Sequence, residues 1–229
     1  MEHLAARPGR PACWPGWVPA PVTAALATSG MPHPWAHQAA MAEHARAGRD
    51  VIIATPAASG KSLGYLLPAA TAVLEGGTAL YLAPTRALAA DQVRAVQDLA
   101  IPGIQAAAVD GDSPASVREW ARCHATYLLT TPDLLHQYLL PRHARWNGFF
   151  GRLRYVIVDE CHGYRGVFGS HVAHVLRRLR RVAAHHGGRD PVFLLASATI
   201  SQPAACARLL TGRDAEEITA SAAPRGPVT

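Results

Sequence analysis

The 229-residue chain is predicted to be an α/β domain, a parallel β-sheet covered by helices on both faces. Three observations carry the expectation. Short apolar runs at residues 51–54, 79–83, 105–109, 126–130, 155–158 and 192–196 alternate with helix-like stretches at 34–47, 61–74, 86–99, 114–122, 132–139 and 170–185. Alternation at this spacing implies right-handed βαβ units and hence parallel strands. The runs are apolar almost throughout, as strands buried on both faces must be. Finally, the first run leads through Thr55-Pro-Ala-Ala-Ser-Gly-Lys-Ser62 into a helix, the context in which a Gly-Lys-Ser tripeptide reads as a phosphate-binding loop.

Taken in order, residues 1–33 hold six of the seven prolines that precede Trp35 and are expected to be an extended arm with one short helix near 22–29. The regular pattern begins at the helix 34–47. The helix 86–99 carries an apolar stripe of Ala89, Val93, Val96 and Ala100, spaced i, i+4, i+7, i+11. The helix 170–185 buries Val172, Val175, Leu176, Leu179, Val182 and Ala183 and sets His174, Arg177, Arg178, Arg181 and His185 opposite, a face read as solvated before it is read as a nucleic-acid contact. Residues 34–218 are taken as the folded domain, and 219–229 as a linker toward a further domain.

Composition narrows the functional classes. No apolar run approaches the roughly 18 residues a bilayer span requires, and prolines at 11, 15, 19 and 21 interrupt any signal-peptide core. Cys13, Cys123, Cys161 and Cys206 form no C-x-x-C pair, which argues against both a zinc site and a disulfide framework and for the reducing cytoplasm. The net charge of +6 suits an acidic partner, although arginine-rich codon bias explains it equally well. Of 22 basic residues only Lys61 is a lysine. A phosphate loop is a place where a compact ammonium does what a planar guanidinium cannot.

Two motifs carry the chemistry. In the first, the backbone N–H groups of Thr55, Ala57, Ala58, Ser59 and Gly60 would wrap phosphates, Lys61 would neutralise them and the Ser62 hydroxyl would ligate Mg²⁺. Thr55 replaces the first glycine of the general pattern, and Ala58 stands where a further glycine is common. In the second, Val156-Ile-Val-Asp-Glu-Cys-His162, an apolar strand ends in two carboxylates. Asp159 would hold Mg²⁺ and Glu160 would deprotonate the attacking water.

Together with Gln38, Ala83-Pro-Thr-Arg-Ala-Leu-Ala89, Thr130-Thr-Pro-Asp133 and Ser197-Ala-Thr199, these motifs resemble the DEAD/DEAH-box superfamily 2 helicases over residues 34–200. The resemblance implies a RecA-like P-loop NTPase domain that uses ATP and Mg²⁺ and acts on nucleic acid. It implies adenine recognition by Gln38, catalytic roles for Lys61, Asp159, Glu160 and His162, backbone contacts from Thr85, Arg86 and Thr131, and coupling through Ser197 and Thr199. His162-Gly-Tyr-Arg-Gly-Val-Phe-Gly-Ser-His171 further resembles a branch of DNA helicases tied to crosslink or mitomycin damage repair, whose members carry a later cysteine-rich zinc domain. In the family a second RecA-like domain supplies an arginine finger, so residues 1–229 alone are expected to hydrolyse ATP weakly.

Other readings remain. A P-loop kinase or other nucleotide hydrolase would have no use for the Pro-Thr-Arg and Ser-Ala-Thr segments. A non-hydrolysing nucleic-acid-binding module would have no need to keep Lys61, Asp159, Glu160 and His162 together. His171 and His174 lie at i, i+3 but have no acidic or cysteine partners in sequence, which argues against a metal site there, and His185-His186 read as a helix C-cap. Trp35 is placed against the arm ahead of an adenine contact, and Arg142, His143 and Arg145 in a solvated basic loop.

Overall fold

The computed structural model describes residues 7–225. Its strands are β1 (Val51–Ala54), β2 (Thr78–Leu82), β3 (Ala106–Ala108), β4 (Tyr127–Thr130), β5 (Leu153–Val158), β6 (Val192–Ser197) and β7 (Glu216–Ile218). They form one sheet, ordered β3-β4-β2-β5-β6-β1-β7, in which every pairing is parallel. The helices are α1 (Ala20–Thr28), α2 (Ala36–Arg46), α3 (Lys61–Leu74), α4 (Arg86–Asp98), α5 (Ala115–His124), α6 (Pro132–Leu134), α7 (Asn147–Phe150), α8 (Gly166–His185) and α9 (Pro203–Thr211).

Strand periodicity divides the core into two layers. Val51, Ile53, Ala79, Tyr81, Tyr155, Ile157 and Leu194 face α1–α4. Their alternates Ile52, Leu80, Leu82, Val156, Val158, Phe193 and Leu195 face the segment 135–150 with α8 and α9. The doubly covered sheet is therefore as expected. Helix α3 is the most enclosed, with Leu63 through Val73 buried. It lies close to α2 because Gly64 has no side chain: a Cβ there would meet Met41 Sδ at 3.0 Å.

Several local expectations are corrected. Residues 132–139 are not one α-helix; α6 passes directly into a π-helical turn, Leu135–Leu139. Helix α4 ends at Asp98, and Ala100, with φ 47°, lies beyond it, so the apolar stripe closes at Val96. Helix α8 starts four residues earlier than expected, at Gly166. Strand β7 and helix α9 were not anticipated.

Both ends of the described chain pack onto the domain. Val18, Val22 and Leu26 of the arm are buried, and Pro11 bridges Trp35. Trp35 also crowds Gly9, whose added Cβ would fall 2.6 Å from its ring, which places the indole against the arm. The stretch expected as a linker is anchored through residue 225: Ala222 is buried, and Arg7 and Arg225 exchange two backbone hydrogen bonds of 2.9 Å.

At the N-terminal edge of the sheet, the side chain of Asp50 is wholly buried. It accepts from the Phe193 N–H at 2.8 Å and pairs with Arg213 at 2.6 Å. Its backbone carbonyl takes the Glu216 N–H at 2.8 Å. One residue thus ties the starts of β1, β6 and β7.

Candidate active site

A parallel sheet presents all its strand C-termini on one edge, where ligands bind in open α/β folds. Here that edge carries Thr55 after β1, Thr85 and Arg86 after β2, Thr131 after β4, Asp159 and Glu160 after β5, and Ser197 at the end of β6.

The loop after β1 is held from several sides. The hydroxyls of Thr55 and Ser59 lie 2.7 Å apart, both buried, so Thr55 clasps the base of the loop where the general pattern has glycine. Ala58 and Gly60 take left-handed conformations, φ 58° and 77°. The Lys61 ammonium folds back onto the carbonyls of Thr55 at 3.1 Å and Pro56 at 3.2 Å. Gln38 Nε2 donates to the Gly60 carbonyl at 2.7 Å, while its Oε1 accepts from the Trp35 N–H at 2.7 Å. Both ends of that amide therefore serve the protein. Ser62, the first-turn serine of α3, is exposed.

Sequence reasoning missed His37. It is 3% exposed, and its Nδ1 accepts from the Ala222 N–H at 3.0 Å. Its Nε2 must then carry the proton and donate to the Ser59 carbonyl at 3.0 Å. Burial holds this imidazole below its ordinary value of 6.5, with Arg7, Lys61 and Arg10 acting in the same direction. The available signal was its position one residue before Gln38, on the helix face turned to the loop.

Asp159 is 7% exposed. Its Oδ1 accepts from the Glu160 N–H at 2.9 Å, and its Oδ2 from the Tyr81 hydroxyl. Burial raises Tyr81, which therefore stays a donor. Among the described residues no Lys, Arg or His forms an ion pair with Asp159. A buried carboxylate held by neutral donors alone suits a hydrated divalent cation, so Asp159 with Ser62 fits Mg²⁺. Glu160 has φ 47°, a left-handed backbone uncommon for a residue with a side chain and of the kind found at functional sites.

His162 links two motifs. Its Nδ1 lies 3.2 Å from Glu160 Oε2 and 3.4 Å from the Ala198 N–H. Ser197, buried, donates to the Ala198 carbonyl at 2.7 Å, and Thr199 is exposed. Cys161 is fully buried, as a small apolar thiol can be.

Thr85, Arg86 and Thr131 line one groove of about 280 Å³ with Gly111, Asp133 and Gln137. Thr85 caps α4, accepting from the Leu88 N–H at 3.3 Å, and Thr131 caps α6, accepting from the Leu134 N–H at 3.4 Å. Arg86 forms an ion pair with Asp112, a partner not foreseen. Across the chain, His171 Nε2 does find an acid, Asp133 Oδ1 at 3.7 Å.

Comparison with known proteins decides the family, since residues 35–206 match the DEAD/DEAH box helicases. The chain belongs to that family. Similar DEAD/DEAH relatives include the uncharacterized ATP-dependent helicase YprA of Bacillus subtilis, 39% identical over 90% of this chain and 28% of that protein. The ATP-dependent helicase hrq1 of Schizosaccharomyces pombe is 41% identical over 73% of this chain and 16% of that protein. The crystal structure of the DUF1998 helicase MrfA bound to DNA and AMPPNP superposes with a TM-score of 0.93, at 36% identity, over 99% of this chain and 32% of that one. The chain thus spans a third or less of these relatives. Likeness to YprA and MrfA agrees with the narrower branch read from residues 162–171. Among the described residues no helix is long and apolar enough to cross a membrane.

Proposed function

We propose that this chain is the ATP-binding motor domain of a DNA helicase that couples ATP hydrolysis to translocation and strand separation. The observation that carries the reading is the position of His162, whose Nδ1 touches both Glu160 and the Ser-Ala-Thr segment. A change at the hydrolysing carboxylate has a route from there into β6.

In this reading Lys61 exchanges the carbonyls of Thr55 and Pro56 for phosphate oxygens, and the N–H groups of the loop from Thr55 to Gly60 line the phosphates. Bound Mg²⁺ would supply charge neutralisation, held by Ser62 and by Asp159 through water. Glu160, aimed by its left-handed backbone, takes the proton of the attacking water. Gln38 grips the loop at Gly60 and reaches adenine by exchanging that bond. Thr85, Arg86 and Thr131 track a single-strand backbone through contacts that carry no sequence information. DNA as the substrate is supported by the likeness to MrfA, which has been crystallised with it. A second RecA-like domain would close over the γ-phosphate and supply the transition-state charge that this edge lacks. Cytoplasmic residence is supported by four free cysteines.

The test is Glu160→Gln in the longer protein that carries both motor domains. ATP affinity should stay unchanged while DNA-stimulated turnover is lost, because the residue acts on water and not on the bound ground state. Turnover near the wild-type rate would assign the base elsewhere.

A further inference from the structure

At the end of α8 furthest from the phosphate loop's own helix start, three histidine rings from two segments meet. His185 is the last residue of α8 and His186 caps it. His143 opens a 3-10 turn, His143–Trp146. The ring centroids are 5.5 Å apart for His143 and His185, 5.1 Å for His143 and His186, and 4.9 Å for His185 and His186. His143 Nδ1 and His186 Nε2 lie 2.9 Å apart, and one nitrogen from each of the three rings lies within 4.8 Å of the other two. Two imidazole ligands on a tetrahedral zinc ion, each about 2.0–2.1 Å from the metal, sit roughly 3.3 Å apart. One pair must open slightly and the third ring close in to reach that spacing.

The surroundings favour a cation. The carbonyls ending a twenty-residue helix present its negative pole at this point. The arginines of the facing segment are turned to other partners: the Arg142 guanidinium lies 4.5 Å over the Tyr138 ring, and Arg145 lies 3.6 Å from Glu119. The two segments are also already locked together, since a Cβ on Gly151 would meet the His186 carbonyl at 2.9 Å.

We propose that His143, His185 and His186 form a binding site for a divalent transition-metal ion of the zinc type, with a fourth position open to water. The ion ties the segment 135–150, whose Trp146, Phe149 and Phe150 sit in the core, to the end of the helix that begins just after the Asp-Glu-Cys-His motif. Neutral imidazoles at this spacing suit zinc, cobalt or nickel and not Mg²⁺ or Ca²⁺, which take oxygen ligands. The site is therefore chemically distinct from the nucleotide's own metal.

Metal-free protein, residues 1–229, titrated with Co²⁺ should bind one equivalent and develop the visible absorption of a four-coordinate ion; Zn²⁺ should displace it and raise the thermal midpoint. His143→Ala and His186→Gln should each weaken Zn²⁺ at least tenfold, since changes outside the ligand set alone cost about 10- to 100-fold. Should either variant fail to fold, His185→Gln, at the exposed helix end, carries the same expectation. His124→Ala with His174→Ala, both exposed and outside the cluster, should leave the titration unchanged. Absence of a stoichiometric cobalt spectrum, or equal affinity in wild type and the cluster variants, would overturn the assignment.

Discussion

Ala58 and Gly60 sit two residues apart in the phosphate loop, both left-handed, and respond oppositely to substitution. For Ala58 the conformation costs roughly 1–2 kcal/mol through its Cβ, which explains why a glycine is common at that place. Ala58→Gly removes this strain but loosens the unfolded chain by roughly 0.5–1 kcal/mol. A net gain of up to about 1 kcal/mol is expected in urea unfolding. Gly60→Ala stiffens the unfolded chain but takes on that strain, and its Cβ would fall 2.7 Å from Gln38 Nε2, so a net loss is expected. The residue types of the loop and of the Asp-Glu pair could be read directly, since Lys61, Asp159 and Glu160 announce their chemistry. Their immediate partners could not be read: Tyr81 on Asp159 and Asp112 on Arg86 depend on which strands the topology makes neighbours.

Among the strands, those rich in apolar residues were legible and the one held by polar contacts, β7, was not. β1, β2, β4, β5 and β6 are largely apolar strands in the middle of the sheet, with Arg154 of β5 turned to solvent. Strand β7 is three residues, two of them glutamate, on a half-exposed edge, and it exists because Glu216 pairs with the backbone of Asp50. That anchor predicts a stability effect remote from the site. Asp50 is raised above the ordinary carboxylate range by its burial, against the pull of Phe193 and Arg213. Arg213→Ala leaves the buried carboxylate without its counter-ion and should cost about 3–5 kcal/mol, seen as a lower thermal midpoint. Nucleotide affinity of the remaining folded protein should not change. At the opposite edge, the groove between α4 and α6 predicts a binding effect instead. Arg86→Ala should weaken single-stranded DNA uniformly across sequences and flatten the salt dependence by about one unit of slope. Asp112→Ala should tighten binding by freeing the guanidinium. A loss confined to one base sequence in filter-binding titrations would place Arg86 on a base.

For the whole molecule, pH acts through His37. Its folded pKa lies below 6.5, so the unfolded chain binds a proton that the folded chain refuses. Stability is full above pH 6.5 and falls as pH drops from there toward the depressed folded value, below which the penalty is constant. The charged groups facing this imidazole are Arg7 and Arg10 of the arm and Lys61 of the loop, all of which repel its proton. Chemical unfolding of the wild type and of His37→Gln at pH 7.5 and 5.5 should show a smaller pH-dependent loss in the variant, although the variant starts from lower stability. An equal loss in both would remove His37 from the account.

The path from the far end of the chain to the phosphate loop is also a mechanical one. Residue 225 is clipped to Arg7, Ala222 is bonded to His37, and His37 is bonded to Ser59. A load pulling along the chain beyond residue 225 shears the paired Arg7–Arg225 bridge first, with two hydrogen bonds sharing the force. Behind that clip, the Arg7 guanidinium holds the Ala223 carbonyl at 3.1 Å and the Arg10 N–H holds the Ala222 carbonyl at 2.8 Å, beside the imidazole of His37. The segment that ends at residue 225 is thus held ahead of the loop by Arg7 and Arg10, and a load on it reaches Ser59 through His37 after those bonds break.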